Sequence, residues 1–308
     1  VELPHLIAVI GATGTGKSDF SLDLAQALGR RSLTAEVVNA DAMQLYQGMD
    51  IGTAKLSPDH RRGISHHLFD VLSPAEEAAV SSYQEQARKV IEEILSRGHV
   101  PILVGGSGLY VSSVLFSFDF PGHDDEIRTR LEHELNTLGA SALYTRLSEL
   151  APEVAARIDA QNPRRIVRAL EVVEVSGNGA SLGELPETPT YWLPTTIFGL
   201  RTQREELVTR LDRRVEHMWE NGLIDEVRSL EKQGLRDGVT SQRAIGYAQA
   251  LDFIDGTLTQ QQAIEQTQVL TRRYARRQVS WFKRYQDVHW LESSEPENVP
   301  SAMSILGQ

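Results

Sequence analysis

The chain reads as an α/β protein, a parallel sheet flanked by helices with a helical insertion. Three observations predict this. Short unbroken apolar runs, "LIAVI" at 6–10 and "PILVGG" at 101–106, suit strands buried on both faces. Amphipathic helical patterns alternate with those runs, as βα units require. From about 123 to 178 helical periodicities follow one another with no strand between them.

Taken in order, the run at 6–10 is the first strand. Lys17 to Leu28 is a helix with Phe20, Leu24, Ala27 and Leu28 on its apolar face. "TAEVVNAD" is a second strand, expected to end at Asp41. "SSYQEQARKVIEEILSRG" is a helix, capped by Ser81 or Ser82 and stopped by Gly98, and "PILVGG" is a third strand. In the insertion, "NPRRIVRALEVVEVSG" places Asn162 as N-cap, Pro163 at the first helical position and Gly177 as the stop. "GNGASLGELPETPTYWLP" is a loop, "TTIFGL" returns to strand, and 203–286 is almost wholly helical. The expected division is a core of 1–122 and 191–308 and an insertion of 123–190.

Composition narrows the function classes. The chain has 308 residues, 41% of them hydrophobic, and no cysteine, which excludes disulfide scaffolds, thiolate metal sites and cysteine nucleophiles. The apolar runs are too short to span a bilayer and no signal-like start is visible, so a cytoplasmic protein without membrane contact is expected. A net charge of -11 repels polyanions in general, so any nucleic-acid partner needs a local basic patch. "TRRYARRQVSWFKRYQ", residues 271–286, supplies one, with six basic residues and no acidic one.

"GATGTGKS" runs through Gly11, Ala12, Thr13, Gly14, Thr15, Gly16, Lys17 and Ser18 and has P-loop spacing, so the sheet is expected to be P-loop NTPase-like. Its glycines let successive N–H groups face phosphate oxygens, and the helix that follows adds its positive end. Lys17 would neutralise phosphate charge and the Ser18 hydroxyl would ligate Mg²⁺. The motif indicates a bound polyphosphate and names no reaction. Asp41 reads equally as a helix N-cap, an outer ligand of Mg²⁺, or a general base. "VGGSGLY", residues 104–110, is a second glycine turn running into a helix, with Ser107 at an anion-friendly N-terminus or serving as a plain N-cap.

Together these stretches resemble the bacterial tRNA dimethylallyltransferases of the IPP transferase family. "GATGTGKS", "NADAMQLYQGMDIGTAK", "PILVGGSGLY", "NPRRIVRALEV", "QRAIGYAQAL" and "TRRYARRQVSWFKR" occur in the family's order over roughly residues 5–291. The resemblance implies that dimethylallyl diphosphate occupies the phosphate loop and that its diphosphate is a leaving group. The acceptor would be N6 of the adenosine 3′ to the anticodon of tRNA. Asp41 would act on that nitrogen, while Lys17, Ser107 and Arg214 stabilise the departing charge, with Arg210 as the alternative arginine. It further implies tRNA contacts at Asp41, Ala42, Met43, Gln44 and Ser107. In the insertion they would be Arg128, Gln161, Asn162, Pro163, Arg164, Arg165 and Arg168, and in the later helices Gln242, Arg243, Tyr247, Arg273 and Arg277. Ala12 and Ala42 depart from the family's usual proline and serine, and Ser107 from a common threonine, which keeps the hydroxyl.

On a helical wheel Arg272, Arg276 and Lys283 share one arc, and Arg273, Arg277 and Arg284 the next. Leu270, Tyr274, Trp281 and Tyr285 form a third, apolar arc, read as core packing, while the basic arcs suit a phosphate backbone. Other readings of the chain are an adenylate isopentenyltransferase acting on free nucleotide, a P-loop small-molecule kinase, and a nucleotide-gated RNA-binding module. A monomer is expected.

Overall fold

The computed structural model describes residues 5–117, 120, 124–176 and 189–307. In chain order the core begins with β1 (Leu6–Gly11), α1 (Lys17–Gly29), β2 (Ala35–Asn39), β3 (His66–His67), α2 (Val80–Ser96), β4 (Val100–Gly105) and α3 (Gly108–Leu115). The insertion supplies α4 (Asp125–Leu138), α5 (Ala140–Leu150), α6 (Pro152–Ala155) and α7 (Pro163–Ser176). The core resumes with β5 (Thr195–Arg201), α8 (Arg204–Glu220), α9 (Leu223–Glu231), α10 (Tyr247–Ile254), α11 (Gln260–Phe282), β6 (Val288–Glu292) and α12 (Asn298–Ile305). Contacts divide the chain into two compact units, Val1–Phe116 with Tyr191–Gln308, and Ser117–Thr190.

The six strands lie in the order β3-β2-β4-β1-β5-β6, every neighbouring pair parallel. Strand alternation sends Ile7, Val9, Val37, Ile102 and Phe198 to one face, where they pack with Leu24 and Leu28 of α1 and Met303 of α12. Helices α2 and α11 also rest on the sheet, α2 on β2 and β4 and α11 on β1. Because all strands run the same way, the loops after β1, β2 and β4 emerge at one edge, on three adjacent strands.

Several boundaries differ from expectation, each for a local reason. The second strand ends at Asn39 rather than Asp41, because the Asn39 side chain turns the chain there. Its Oδ1 accepts the Asp41 N–H at 2.9 Å, and its Nδ2 donates to the Leu68 carbonyl at 2.9 Å. Helix α2 begins at Val80 with no side-chain cap, so Ser81 and Ser82 lie inside its first turn. Gly98, at φ +74°, follows the end of α2 as expected. Strands β3 and β6 and helix α12 carried no sequence signal: β3 is two histidines, and β6 is a half-buried edge strand, "VHWLE". In the insertion Asn162 does cap α7, its Oδ1 accepting the Arg165 N–H at 3.2 Å. Gly177 and most of the loop expected after it lie outside the described residues.

Glu36 of β2 is the most heavily engaged carboxylate of the sheet. It accepts from His67 Nε2 and His99 Nδ1, each at 2.6 Å, and from Arg97 Nη2 at 2.9 Å, with its side chain 7% exposed. Burial works against its charge, but the hydrogen bonds from His99, His67 and Arg97 outweigh this and hold the carboxyl at about 2. A carboxylate depressed in the fold stabilises it above the unfolded value, and that stabilisation is lost as pH falls through the folded value. Urea unfolding between pH 5 and pH 2 should therefore lose roughly 3 kcal/mol in the native protein from this group. Glu36→Gln should be less stable at pH 5 and lack that increment; identical pH profiles for the two proteins would contradict the assignment.

The insertion packs on its own core of Leu131, Leu143, Leu147, Ile166 and Leu170. Glu171, fully buried, faces Arg168 Nη1 at 2.9 Å and Arg128 Nε at 3.8 Å. Both arginines, expected as tRNA contacts, are thus engaged in balancing a buried carboxylate. Arg130 pairs with Glu134 at 2.7 Å and with Glu174. Gln161, Pro163, Arg164 and Arg165 are exposed and Asn162 is half-buried.

Candidate active site

The phosphate loop leaves β1 and enters α1 through Gly16, whose φ of +82° is a conformation glycine adopts without strain. The first helical bond is Phe20 N–H to the Gly16 carbonyl at 3.0 Å. The N–H groups of Gly16, Lys17, Ser18 and Asp19 therefore have no backbone acceptor among the described residues and point out of the helix start. A cavity of about 360 Å³ opens in front of them. Thr13, Gly14, Gly16, Lys17 and Ser18 line it, with Asp41 and Gln44 from the turn after β2, Thr53, Gly105 and Gly106 from the end of β4, and Arg210 and Arg214 of α8.

Gly11, Ala12 and Thr15 do not line it and shape the loop from behind. The Ala12 carbonyl accepts Thr15 Oγ1 and Lys17 Nζ, each at 2.8 Å. Burial pushes the Lys17 ammonium down to about 8, opposed by the nearby Asp41 charge and reinforced by Arg214. The ammonium is the form that attracts an anion, so it is present below pH 8 and must be regenerated above it. Inorganic diphosphate should accordingly bind with proton uptake above pH 8, read by calorimetry in buffers of different ionisation heat. Lys17→Met should bind more weakly and lose that uptake; unchanged uptake in the variant would assign the proton elsewhere.

Asp41 caps a short 3-10 turn, Ala42–Leu45, its Oδ1 accepting the Met43 N–H at 3.0 Å. No described residue hydrogen-bonds its Oδ2, so the N-cap geometry leaves one carboxylate oxygen for the cavity. Gln44 Nε2 donates to the Thr53 carbonyl at 3.2 Å. Ser107 stands at the N-cap position of α3 without capping it, and it is nearly buried, away from the cavity lining. Its Oγ instead accepts the Ala42 N–H at 3.2 Å and meets the Tyr274 hydroxyl at 3.3 Å. The hydroxyl expected to face an anion thus steadies the turn that carries Asp41.

The two candidate arginines separate clearly. Arg214 Nη1 donates to Thr13 Oγ1 at 3.1 Å and Nη2 to the Thr53 carbonyl at 3.2 Å. Burial lowers its pKa and the charge of Asp41 opposes that shift. Arg210, 41% exposed, reaches the Gly14 carbonyl at 3.1 Å and pairs with Glu206 one turn away.

Tyr247 corrects an expectation. Its side chain is fully buried, so it offers no surface to a macromolecule. Its hydroxyl donates to Glu226 Oε1 at 2.5 Å, and the Glu226 carboxylate accepts the N–H groups of Asp50, Ile51 and Gly52, at 3.2, 2.7 and 3.3 Å. That clamp fixes the turn presenting Thr53 to Arg214. Gln242 is half-buried and Arg243 exposed, on a 3-10 turn before α10.

On α11, Arg272 pairs with Asp212 of α8 at 2.6 Å, which removes it from the expected basic arc. Arg273, Arg276, Arg277, Lys283 and Arg284 are exposed and make no ion pair among the described residues. The apolar arc packs inward as expected at Tyr285, which is buried, and at Trp281, whose Nε1 donates to Ser112 Oγ at 3.0 Å. Gln278 was missed. It lies on that inward arc, four residues after Tyr274, and a polar side chain there is the signal that could have revealed it. Thr53 and Glu226 were missed too, since nothing in their spacing singles out a backbone carbonyl or its clamp.

Among the described residues no helix is long and apolar enough to cross a membrane, and no group of three or more His, Asp or Glu could hold a metal ion. A Mg²⁺ ion here would take oxygen from Ser18 and from the phosphate itself, as this cation commonly does. The Ser18 hydroxyl fits: it lines the cavity and no described residue hydrogen-bonds it.

A family profile described as IPP transferase matches residues 44–285. The tRNA dimethylallyltransferase of Clavibacter sepedonicus is 56% identical over 301 residues, covering 98% of this chain and 97% of that one. That of Thermobifida fusca is 52% identical over 98% and 94%. Of solved structures, the full-length tRNA isopentenylpyrophosphate transferase of Bacillus halodurans superposes with a TM-score of 0.70 at 36% identity, covering 98% of this chain and 95% of that one. A eukaryotic dimethylallyltransferase described as acting on tRNA gives 0.78 at 28% identity, over 97% and 77%. The chain belongs to the IPP transferase family.

Proposed function

We propose that the protein transfers a dimethylallyl group from dimethylallyl diphosphate to N6 of the adenosine 3′ to the anticodon in tRNA, releasing diphosphate. The observation that carries this reading is a carboxylate oxygen of Asp41 facing the same cavity as the phosphate loop and Arg214. The relatives named above act on tRNA by their names, and the basic face of α11 gives an acidic chain a local site for RNA phosphates.

The chemistry asks for two things, a better nucleophile and a stabilised leaving group. N6 attacks the allylic carbon; the carbon–oxygen bond to the diphosphate breaks with its electron pair, and the N6 proton passes to Asp41. Lys17, Arg214 and the free N–H groups of the α1 N-terminus meet the negative charge that grows on the diphosphate. Mg²⁺, held by Ser18 with diphosphate oxygens, would add charge neutralisation at the same place. Ser107, through the Ala42 N–H, keeps the Asp41 turn in position. On this reading the chain acts as a monomer in the cytoplasm.

The test is incubation with Mg²⁺, dimethylallyl diphosphate labelled in its alkyl group, and either unmodified tRNA or AMP. Label should enter tRNA alone; label in AMP would instead assign a free-nucleotide acceptor. The RNA surface is checked separately. Arg273→Ala and Arg277→Ala should each weaken tRNA binding and flatten its salt dependence by about one log-log unit per lost phosphate contact. An unchanged slope would move the RNA footprint off α11.

A further inference from the structure

Gln278 stands out among the buried polar side chains. It is 3% exposed, on α11, and it bridges the two glycine turns that face the cavity. Its Oε1 accepts the Thr13 N–H of the phosphate loop at 2.8 Å, and its Nε2 donates to the Gly106 carbonyl at 2.8 Å. The fit is close: a Cβ on Gly106 would stand 2.4 Å from Nε2. Thr13 is held twice, since Arg214 takes its hydroxyl. The Thr13 amide is therefore taken up by Gln278, and the N–H groups at the start of α1 are left as the cradle.

We propose that Gln278 is a positioning residue of the diphosphate site. It fixes the phosphate loop against the end of β4 and sets which amides face the anion. The proposal rests on the reading above that this loop holds a diphosphate. A primary amide suits the task, because only a side chain with both an acceptor and a donor can satisfy an N–H and a carbonyl at once without adding charge beside an anion. One turn away Tyr274 makes the parallel contact to Ser107, so the inward face of α11 braces both the loop and the Asp41 turn. The arginines at 273 and 277 are exposed whereas Gln278 is buried, so substitutions can address the two functions of α11 separately.

Two variants test this, Gln278→Met, which keeps length without polarity, and Gln278→Asn, which keeps polarity but is one methylene too short to reach both partners. Affinity for inorganic diphosphate is measured by calorimetry, tRNA affinity by filter binding, and Thr13 amide exchange by mass spectrometry or NMR. Each variant should bind diphosphate about tenfold more weakly, the scale of one lost buried hydrogen bond. KM for the alkyl donor should rise in parallel, tRNA affinity should hold within about twofold, and the Thr13 amide should exchange faster. A variant that frees the Thr13 amide yet binds diphosphate like the native protein would overturn the proposal. So would equal losses in diphosphate and tRNA affinity, the mark of general damage to α11. If the native protein itself fails to bind diphosphate, the reading of the loop as a diphosphate site falls, and this proposal with it.

Discussion

Asp41→Ala should lower kcat by roughly 10²–10⁴-fold, the usual cost of removing a positioned acid–base group. Its affinity for tRNA and for diphosphate should stay within a few-fold. One Asp41 oxygen is spent on the Met43 N–H, and that bond points the other into a cavity also lined by Lys17 and Arg214. Asp41→Asn is the sharper variant, because it can still accept the Met43 N–H and cap the turn but cannot take a proton. If Asn restored turnover to near the native level, Asp41 would be acting as a cap alone. A drop in tRNA affinity that accounted for the whole loss would make it a binding residue.

The second large effect is at Arg214. Arg214→Ala should lower kcat by roughly 10²–10³-fold, the scale seen when one preorganised donor to a developing oxyanion is removed. Its guanidinium already spans Thr13 Oγ1 and the Thr53 carbonyl, so it is fixed before any substrate arrives. Lysine has the charge without the fork, and Arg214→Lys should recover only a small part of the loss. Arg210→Ala should cost far less, since Arg210 is more exposed and paired with Glu206. Steady-state kinetics with saturating tRNA decide between them; a larger loss at Arg210 than at Arg214 would exchange their roles.

The parts of this site legible in the sequence are those with a fixed local pattern. The phosphate loop, the Asp41 turn and the second glycine turn each sit after a short apolar run, and a parallel sheet brings such ends together whatever else the chain does. The hydrogen-bonding of those residues was not legible. Asn39 ends β2 two residues early through its own side chain, and the Ser107 hydroxyl, expected to face an anion, binds the Ala42 N–H instead. Tyr247, Glu226 and Gln278 act through contacts across 21 to 265 residues of chain, which no window of sequence contains. Arg272 shows the same limit in charge patterning: it reads as free within its own helix, and its partner Asp212 lies on α8.

In the proposed reaction the anion in the phosphate loop is discarded and its alkyl group transferred. Dimethylallyl diphosphate carrying tritium in the alkyl group and ³²P in the diphosphate tests it in one reaction with unmodified tRNA. Tritium should enter the tRNA and ³²P should leave as free diphosphate, in equal amounts. Appearance of ³²P in the acceptor, or transfer of the γ-phosphate of ATP in its place, would contradict it.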